Sequence, residues 1–557
     1  MDRFGQTNSW KGLDMLEPEY FNDKADKLIE MYRELEDYIM EDIAERLLKS
    51  GEMSGTADWL IWKLEQMGEH RTVILNKIAR MTNMSRRELK ELLQEAVLTS
   101  WQDDLSAFNE MGIEIASPLS NPYVVSVMDA EWRKSQGELE NLTRSAMLRS
   151  QKDLIKMLDE AEIRIATGVR SYSAEVCDIL DRYAGKGAMV DYPRGTQRTL
   201  EAAVRMCVVT SMNQTAAQIT NQYIVQAGTE YVLVSAHLGA RIQEKGQSYL
   251  AGHENWQGKI FRINGSEPEY PNLLEMTGYE INAETGTGYV RDPRGLHGYN
   301  CRHGHKPWDK RLRNPYMDEN GNLKIDTEEN RKRYKLKQQQ RAYERDIRKT
   351  KRELLTKKKE IDMVAETDVK DMLQEDYDRL ALKLREQNKK YSNFCEENGF
   401  TKEVDRLKVS GFKKKQASMA NGRATALAAK NMKEGQEQLK EAIRSGELGT
   451  KIKEQHYLKH IEGTKQFNDY LRTRLNNPNG YKGPQDKLTI SLEECQKIVD
   501  NMSGKGIVKM SKGSATEYVT CDKIIGQYYK DGQWHDTKRA AIHYGKNGSH
   551  IVPVKEL

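Results

Sequence analysis

The sequence predicts a multidomain chain. A mainly α-helical N-terminal region leads into a small irregular α/β subdomain, then long charged helices, then a compact α+β domain at the C terminus. Three observations predict it. The chain has 557 residues, more than one hydrophobic core organises, so two to four domains of roughly 100–200 residues are expected. Apolar residues recur at three- and four-residue spacing through the first segments, the period of an amphipathic helix. The texture then changes at 229 and again at 451, to short β-branched and aromatic runs broken by turn signals. The expected divisions are 1–228, 229–325, 326–450 and 451–557.

Each element has its own signal. Residues 15–115 read as amphipathic helices, with LEPEYFNDKADKLIEMYRELEDYIMEDIAERLLKS as the clearest stripe. Ser85 followed by Glu88 has the form of a capping box, hence of a helix start. Further helices are expected over about 122–168 and 195–228. Residues 229–310 are dense in turn signals (NG, TG, GTG, DPRG) and read as a small mixed α/β or irregular subdomain. From 326 to about 445 the chain is polar and helical. RKRYKLKQQQRAYERDIRKTKRELLTKKKEIDM has no Gly or Pro, and too few apolar residues for a heptad seam, so it predicts packing along one narrow stripe. Residues 413–450 read as a linker. In the last block SLEECQKIVDNM is a helix capped by Ser491 with Glu494. The runs GIVKM, EYVTCDKIIGQYY, WHDTKRAAIHY and SHIVPV follow, with turns at DG and KNG, predicting three or four antiparallel strands.

Composition excludes several classes. No run of about 18 apolar residues exists, so no membrane span is expected. The start, MDRFGQTNSWKG, lacks a secretory signature. The six cysteines show no CxxC spacing and read as reduced thiols. Without a P-loop, GxGxxG or HExxH, nucleotide hydrolysis, dinucleotide redox chemistry and zincin proteolysis are disfavoured. Net charge is +4 but unevenly placed. Residues 331–360 hold 14 Lys/Arg against 4 Asp/Glu, and residues 451–557 hold 18 against 12. Anionic partners are implied, nucleic acid first. For 331–360 two readings stay open: contact with DNA, or a solvated charged helix.

The eleven histidines fall in two groups, with only His70 elsewhere. Imidazole is both the side chain suited to proton transfer near neutral pH and the commonest metal ligand. In the first group His297, Cys301, His303 and His305, with His237 and His253, would supply a structural Zn²⁺ site. Loops stitched by hydrogen bonds, and a metal-dependent enzyme, are the alternatives. The second group is His456, His460, His535, His543 and His550. Metal-free RNA cleavage needs a base for the ribose 2′-OH, an acid for the departing 5′-oxygen and a cation for the charged phosphorane. A two-residue Asn547-Gly548 turn would pair Gly545 with His550 and His543 with Val552, leaving His543 and His550 diagonal on one face. Arg539 shares the parity of His543, Thr537 and Lys538 lie just upstream, and Lys459 and His460 would close the site from outside the sheet. The alternative is a binding module whose histidines are ordinary half-buried strand residues.

Several segments carry a family resemblance. SAHLGAR, HENWQGKIF, GLHGYNCRHGHKPW, QQQRAYERDIRKTKRELL and DRLKVSGF resemble, in order, the phage minor capsid proteins related to the Mu F-like head morphogenesis family, over roughly residues 10–415. That resemblance implies a minor head module in a virion, with the portal, other head proteins and phage DNA as partners. It transfers no catalytic residue.

KHIEGT, TCDKIIGQYY and IHYGKNGSHIVPV resemble the polymorphic toxin type 50 family over about 455–557. This resemblance implies a ribonuclease toxin of barnase/colicin/RelE-like fold, with RNA as substrate, a cognate immunity protein as partner and no cofactor. His460, His543 and His550 fall on family motif positions. Thr537 and Lys538 or Arg539 do so less securely, and Gly545 stands where the family has serine. Together the two resemblances imply a head-interior protein that enters a bacterial cytoplasm with phage DNA.

Overall fold

Helical periodicity and its termination organise the first 420 residues. The computed structural model describes residues 18–49, 56–166, 172–192, 195–476, 483–530 and 532–555. The opening segment read for a secretory signal, and Asp531 of the DG turn, lie outside them. The chain divides between Ala420 and Asn421 into two units.

In the first unit, α1 (Pro18–Leu48), α2 (Thr56–Glu110), α3 (Pro122–Ala166) and α4 (Tyr172–Ala184) surround a common core with α5 (Leu200–Gln226). A two-stranded ribbon, β1 (Met189–Asp191) and β2 (Gln197–Thr199), precedes α5. Small and apolar residues circle α5, so it is buried on nearly every side, as expected of a helix at the centre of a bundle. Thr199 caps it by accepting the Ala202 N–H. The helix start expected at Ser85 is corrected: Ser85 lies inside α2. Its hydroxyl donates to the Thr82 carbonyl, and the buried stripe Met81, Leu89, Leu92 and Leu93 runs on through it.

The expected mixed subdomain is a set of small sheets. The elements are β3 (Tyr231–Val234), β4 (Ile260–Arg262), α6 (Leu273–Thr277), β5 (Tyr279–Ile281), β6 (Gly288–Val290) and β7 (His305–Trp308). Strands order as β4-β3-β7 in one antiparallel sheet, and β5 pairs β6 in another. Trp256, Phe261 and Cys301 lie in the core beneath.

The polar helices are α7 (Thr327–Met363) and α8 (Thr367–Glu397), packed on each other, followed by α9 (Lys414–Arg444). The linker expected at 413–450 is therefore mostly helix. The reading of 331–360 as a solvated charged helix holds only in part: some of its cations are paired inside the fold, while Arg331, Lys332, Lys335, Arg345 and Lys349 are exposed. Arg352 pairs with Glu36 and Asp37 of α1, Arg348 with Glu201 of α5, and Lys357 with Asp181 of α4 and with Glu360. Arg352 and Lys357 are buried. Much of this charge is thus spent inside the fold, because acids on α1, α4 and α5 face it. No helix among the described residues is long and apolar enough to cross a membrane.

The second unit holds α10 (Glu454–Tyr457), α11 (Lys465–Leu475), β8 (Lys487–Leu488) and α12 (Leu492–Met502). The strands β9 (Ile507–Ser511), β10 (Ser514–Thr520), β11 (Gly526–Lys530), β12 (Gln533–Thr537), β13 (Arg539–Gly545) and β14 (Gly548–Pro553) follow. Ser491 and Glu494 form the expected capping box. The expected three or four strands are corrected to six, because EYVTCDKIIGQYY and WHDTKRAAIHY each break in two. The halves belong to different antiparallel sheets, β14-β13-β10-β9 and β12-β11-β8. Gly526 allows the close approach of β11 to β8, since a Cβ there would stand 2.1 Å from the Lys487 carbonyl. Leu439 and Ala442 of α9, Val499 of α12, and Val519, Ile542 and Ile551 of the sheet share one core.

One buried carboxylate ties α12 to that sheet. Glu517 accepts the N–H groups of Gly504, Lys505 and Gly506 at 3.2, 2.9 and 2.6 Å, and the Tyr544 hydroxyl at 2.7 Å. Glu517→Ala leaves those donors without a partner and should cost about 3 kcal/mol or more. Denaturant unfolding of the 421–557 unit measures it, and an unchanged midpoint would contradict this role.

Candidate functional site

The carboxyl-terminal histidines converge. Gly545 pairs with Gly548, Tyr544 with Ser549 and His543 with His550. The expected register is therefore corrected: the two-residue turn is Lys546-Asn547, and His543 lies directly opposite His550 instead of diagonally. The cause is local. Residues 449–453 lie against the start of β14, where Ser549 N–H donates to the Lys451 carbonyl at 2.8 Å and Lys453 N–H to the Ser549 carbonyl at 2.9 Å. Gly548 has φ 120°, and a Cβ there would stand 2.4 Å from the Lys451 carbonyl. That glycine is thus consumed by the strand crossing, not by the turn.

The same crossing carries α10 to the sheet. The His543 and His550 rings stack with centroids 4.8 Å apart, and the His456 ring lies 5.0 Å from His550. His460 follows α10 in a 3₁₀ turn, its Nδ1–H donating to the Asp486 carbonyl at 2.7 Å. That bond leaves Nε2 as the free basic nitrogen of the neutral ring. His543 Nδ1 is 3.0 Å from the Thr516 hydroxyl of β10. His460 is buried; His456, His543 and His550 are half-buried.

All four rings are held below the ordinary histidine range, and burial is the leading cause at each. Lys459 and Lys453 push His456 further down, and Lys459, Arg474 and His543 act the same way on His460. His550 falls to about 3, because burial is joined by His543, His456, His460 and Lys453. Each neighbour named there is an imidazole or a cation. An anion entering would relieve both the mutual repulsion and the loss of solvent.

Of the residues expected at this site, His460, His543 and His550 come together, and Lys459 stands beside His460 with its ammonium over the Tyr470 ring. Arg539 does not: it sits four residues along β13 from His543, roughly 13 Å at strand rise, over the Tyr518 ring. Thr537 is turned into the core, its hydroxyl donating to the Val554 carbonyl at 2.8 Å. Lys538 lies beside it at the exposed step between β12 and β13. Sequence reasoning placed His456 in this histidine group without giving it a role, and it missed Lys453 and Thr516. The four-residue spacing of His456 and His460 on one short helical segment was the available signal for that role. His535 stacks on Tyr528 in the other sheet.

The first histidine group is different. His253, His297, His303 and His305 are buried with Cys301, and burial drives the rings well down, His305 to about 3. The group splits in two. His297 and His305 join at 2.8 Å in a hydrogen-bond chain anchored by Asn213 and Asn221, so they stitch loops together. His297 holds a left-handed φ of 58° in that chain, uncommon for a side-chain-bearing residue. His253, Cys301 and His303 bring their ligand atoms within 4.8 Å of one another, a set able to hold a metal ion. The His237 ring stacks on His303 at 4.3 Å and lies outside that triad.

Comparison with known families gives two matches. The family described as Phage minor capsid protein 2 matches residues 16–396, and the family described as Bacterial toxin 50 matches residues 452–553. No curated protein and no solved structure matches the chain.

The depressed histidines predict a pH dependence of folding. The unfolded chain takes up protons as pH falls through about 6.5, while folded His550 stays neutral to about 3. Stability of the 421–557 unit should fall progressively across that window and be unaffected by these groups above it. His550→Asn should flatten the slope in urea unfolding measured from pH 7.5 to 4. An equal slope in the variant would remove His550 as its source.

Proposed function

Because the chain belongs to the phage minor capsid protein 2 family and carries a C-terminal bacterial toxin 50 domain, we propose that it is a head-associated protein whose last hundred residues cleave RNA without a metal. The observation that carries this reading is the convergence of His456, His460, His543 and His550 with Lys453 and Lys459. Such a set has the parts a phosphodiester needs: bases, acids and cations close together. The α12 helix on its antiparallel sheet is read as barnase/colicin/RelE-like in fold.

His460 is assigned as base, its Nδ1–H held by the Asp486 carbonyl so that Nε2 faces substrate. It removes the ribose 2′-OH proton as that oxygen attacks phosphorus. The stacked His543–His550 pair carries one proton, since two charged rings at 4.8 Å repel. The bound phosphodiester raises their affinity for that proton, and His550 donates it to the departing 5′-oxygen. Products are a 2′,3′-cyclic phosphate and a 5′-hydroxyl. Lys453 and Lys459 stabilise the charged phosphorane. Arg539 is left out of this role by its distance along β13.

The capsid region is read as attaching the chain to the portal and other head proteins near phage DNA. From there the toxin reaches a bacterial cytoplasm with the genome, and a cognate immunity protein protects the producing cell.

The test incubates the full-length chain with total RNA in excess chelator. Cleavage with 2′,3′-cyclic phosphate ends is expected, and DNA should stay intact. His460→Ala, His543→Ala and His550→Ala should each lower the rate by about 10²–10⁴-fold, whereas Arg539→Ala should have little effect. Folded protein that leaves RNA uncut would favour a binding module. Cleavage abolished by chelator would overturn the metal-free route.

A further inference from the structure

Lone-pair accounting around His253 and His303 leaves a defect that a cation repairs. His253 Nε2 lies 2.9 Å from the Arg294 carbonyl, which has no proton to give, so this nitrogen carries the hydrogen. His303 Nε2 lies 3.3 Å from Gln257 Oε1. That oxygen also accepts the His237 backbone N–H at 3.1 Å, which fixes the amide orientation. His303 Nε2 therefore carries a hydrogen too. A neutral imidazole has only one, so both Nδ1 atoms present lone pairs, and they face each other at 3.2 Å. Cys301 Sγ lies 3.8 Å from His303 Nδ1. All three residues are 2% exposed or less. Two facing lone pairs in so dry a place repel unless a positive centre lies between them. A shared proton would be one such centre. A divalent metal is another: it displaces the thiol proton, carries the same net charge of +1 with the thiolate, and turns Cys301 Sγ into a third ligand beside the two nitrogens.

We infer that His253, Cys301 and His303 bind one Zn²⁺ in the capsid region, pinning the 3₁₀ turn at His253 to the segment leading into β7. The dimensions fit. A tetrahedron with Zn–N of about 2.0–2.1 Å and Zn–S of about 2.3 Å has edges of about 3.3 Å between nitrogens and about 3.6 Å from nitrogen to sulfur. The two Nε2–H groups, each given to an oxygen, are the outer contacts that orient metal-bound histidines. Thiolate with imidazole selects zinc over the oxygen-seeking cations. His297 and His305, held by the two asparagine side chains apart from the triad, are not among its ligands. Nor is His237, whose ring lies face to face with His303.

Metal analysis of the full-length chain purified without chelator should find about one zinc per chain. Replacement with Co²⁺ should give a thiolate-to-cobalt charge-transfer band in the near ultraviolet. Cys301→Ser should abolish that band and weaken metal retention at least tenfold, whereas His237→Ala should keep both. Circular dichroism establishes that each variant is folded. A folded wild-type chain that holds no zinc and takes up no cobalt would overturn the assignment. So would a cobalt spectrum unchanged by Cys301→Ser.

Discussion

The pairing of β13 with β14 is the constraint on which the candidate active site depends. One register places His543 opposite His550, and the same backbone groups of β14 receive the incoming segment 449–453. The Ser549 hydroxyl adds a 2.7 Å bond to the Thr450 carbonyl, and its residue is wholly buried. These contacts couple two distances. The stacking of two rings on the sheet and the arrival of His456 and His460 beside them are set by one short stretch of backbone. A slip of one residue would invert the faces of β14 and turn Ser549 outward. The crossing at Gly548 opposes that slip, because any other residue there meets the Lys451 carbonyl.

The two units use charge in opposite ways. In the helical unit a basic run is matched by acids on neighbouring helices. Glu36 shows the cost of this arrangement: burial raises its carboxyl to about 7 even with Arg352 beside it. Such a seam specifies which helices meet more than it adds stability. In the C-terminal unit the cations and imidazoles of the site face one another, and every ring is pushed toward neutrality. That is stability given up locally, and it is regained when an anion binds. An unmatched cluster of this kind points to a ligand, whereas the matched seam of α7 does not.

The legible features were those fixed by local chemistry. The Ser491 box, the long helices and the break in texture at 229 follow from capping and periodicity, and they stand in the structure. Ser85 misled because the same residues cap a helix or ride inside one, and only the continuing apolar stripe decides. The strand runs around Cys521 and Lys538 misled because each changes sheet partway. Such a change is driven by Gly526 meeting Lys487 across the chain, which no local pattern records. The site was half legible for the same reason. His543 and His550 share a hairpin, whereas His456 and Lys453 arrive through a contact nearly a hundred residues away in sequence.

The two histidine groups show why residue type alone does not define a chemistry. Around His253 and His303 the outer nitrogens are satisfied by oxygens, the inner ones face each other, and solvent is excluded. That geometry suits a small cation. Around His550 three rings are half-buried, His460 is buried with its Nδ1–H on a carbonyl, and the charged neighbours are imidazoles and lysines. That arrangement favours a negative ligand. Burial and the sign of the neighbouring charge therefore separate a pin from a reaction site, and they do so before any family is consulted.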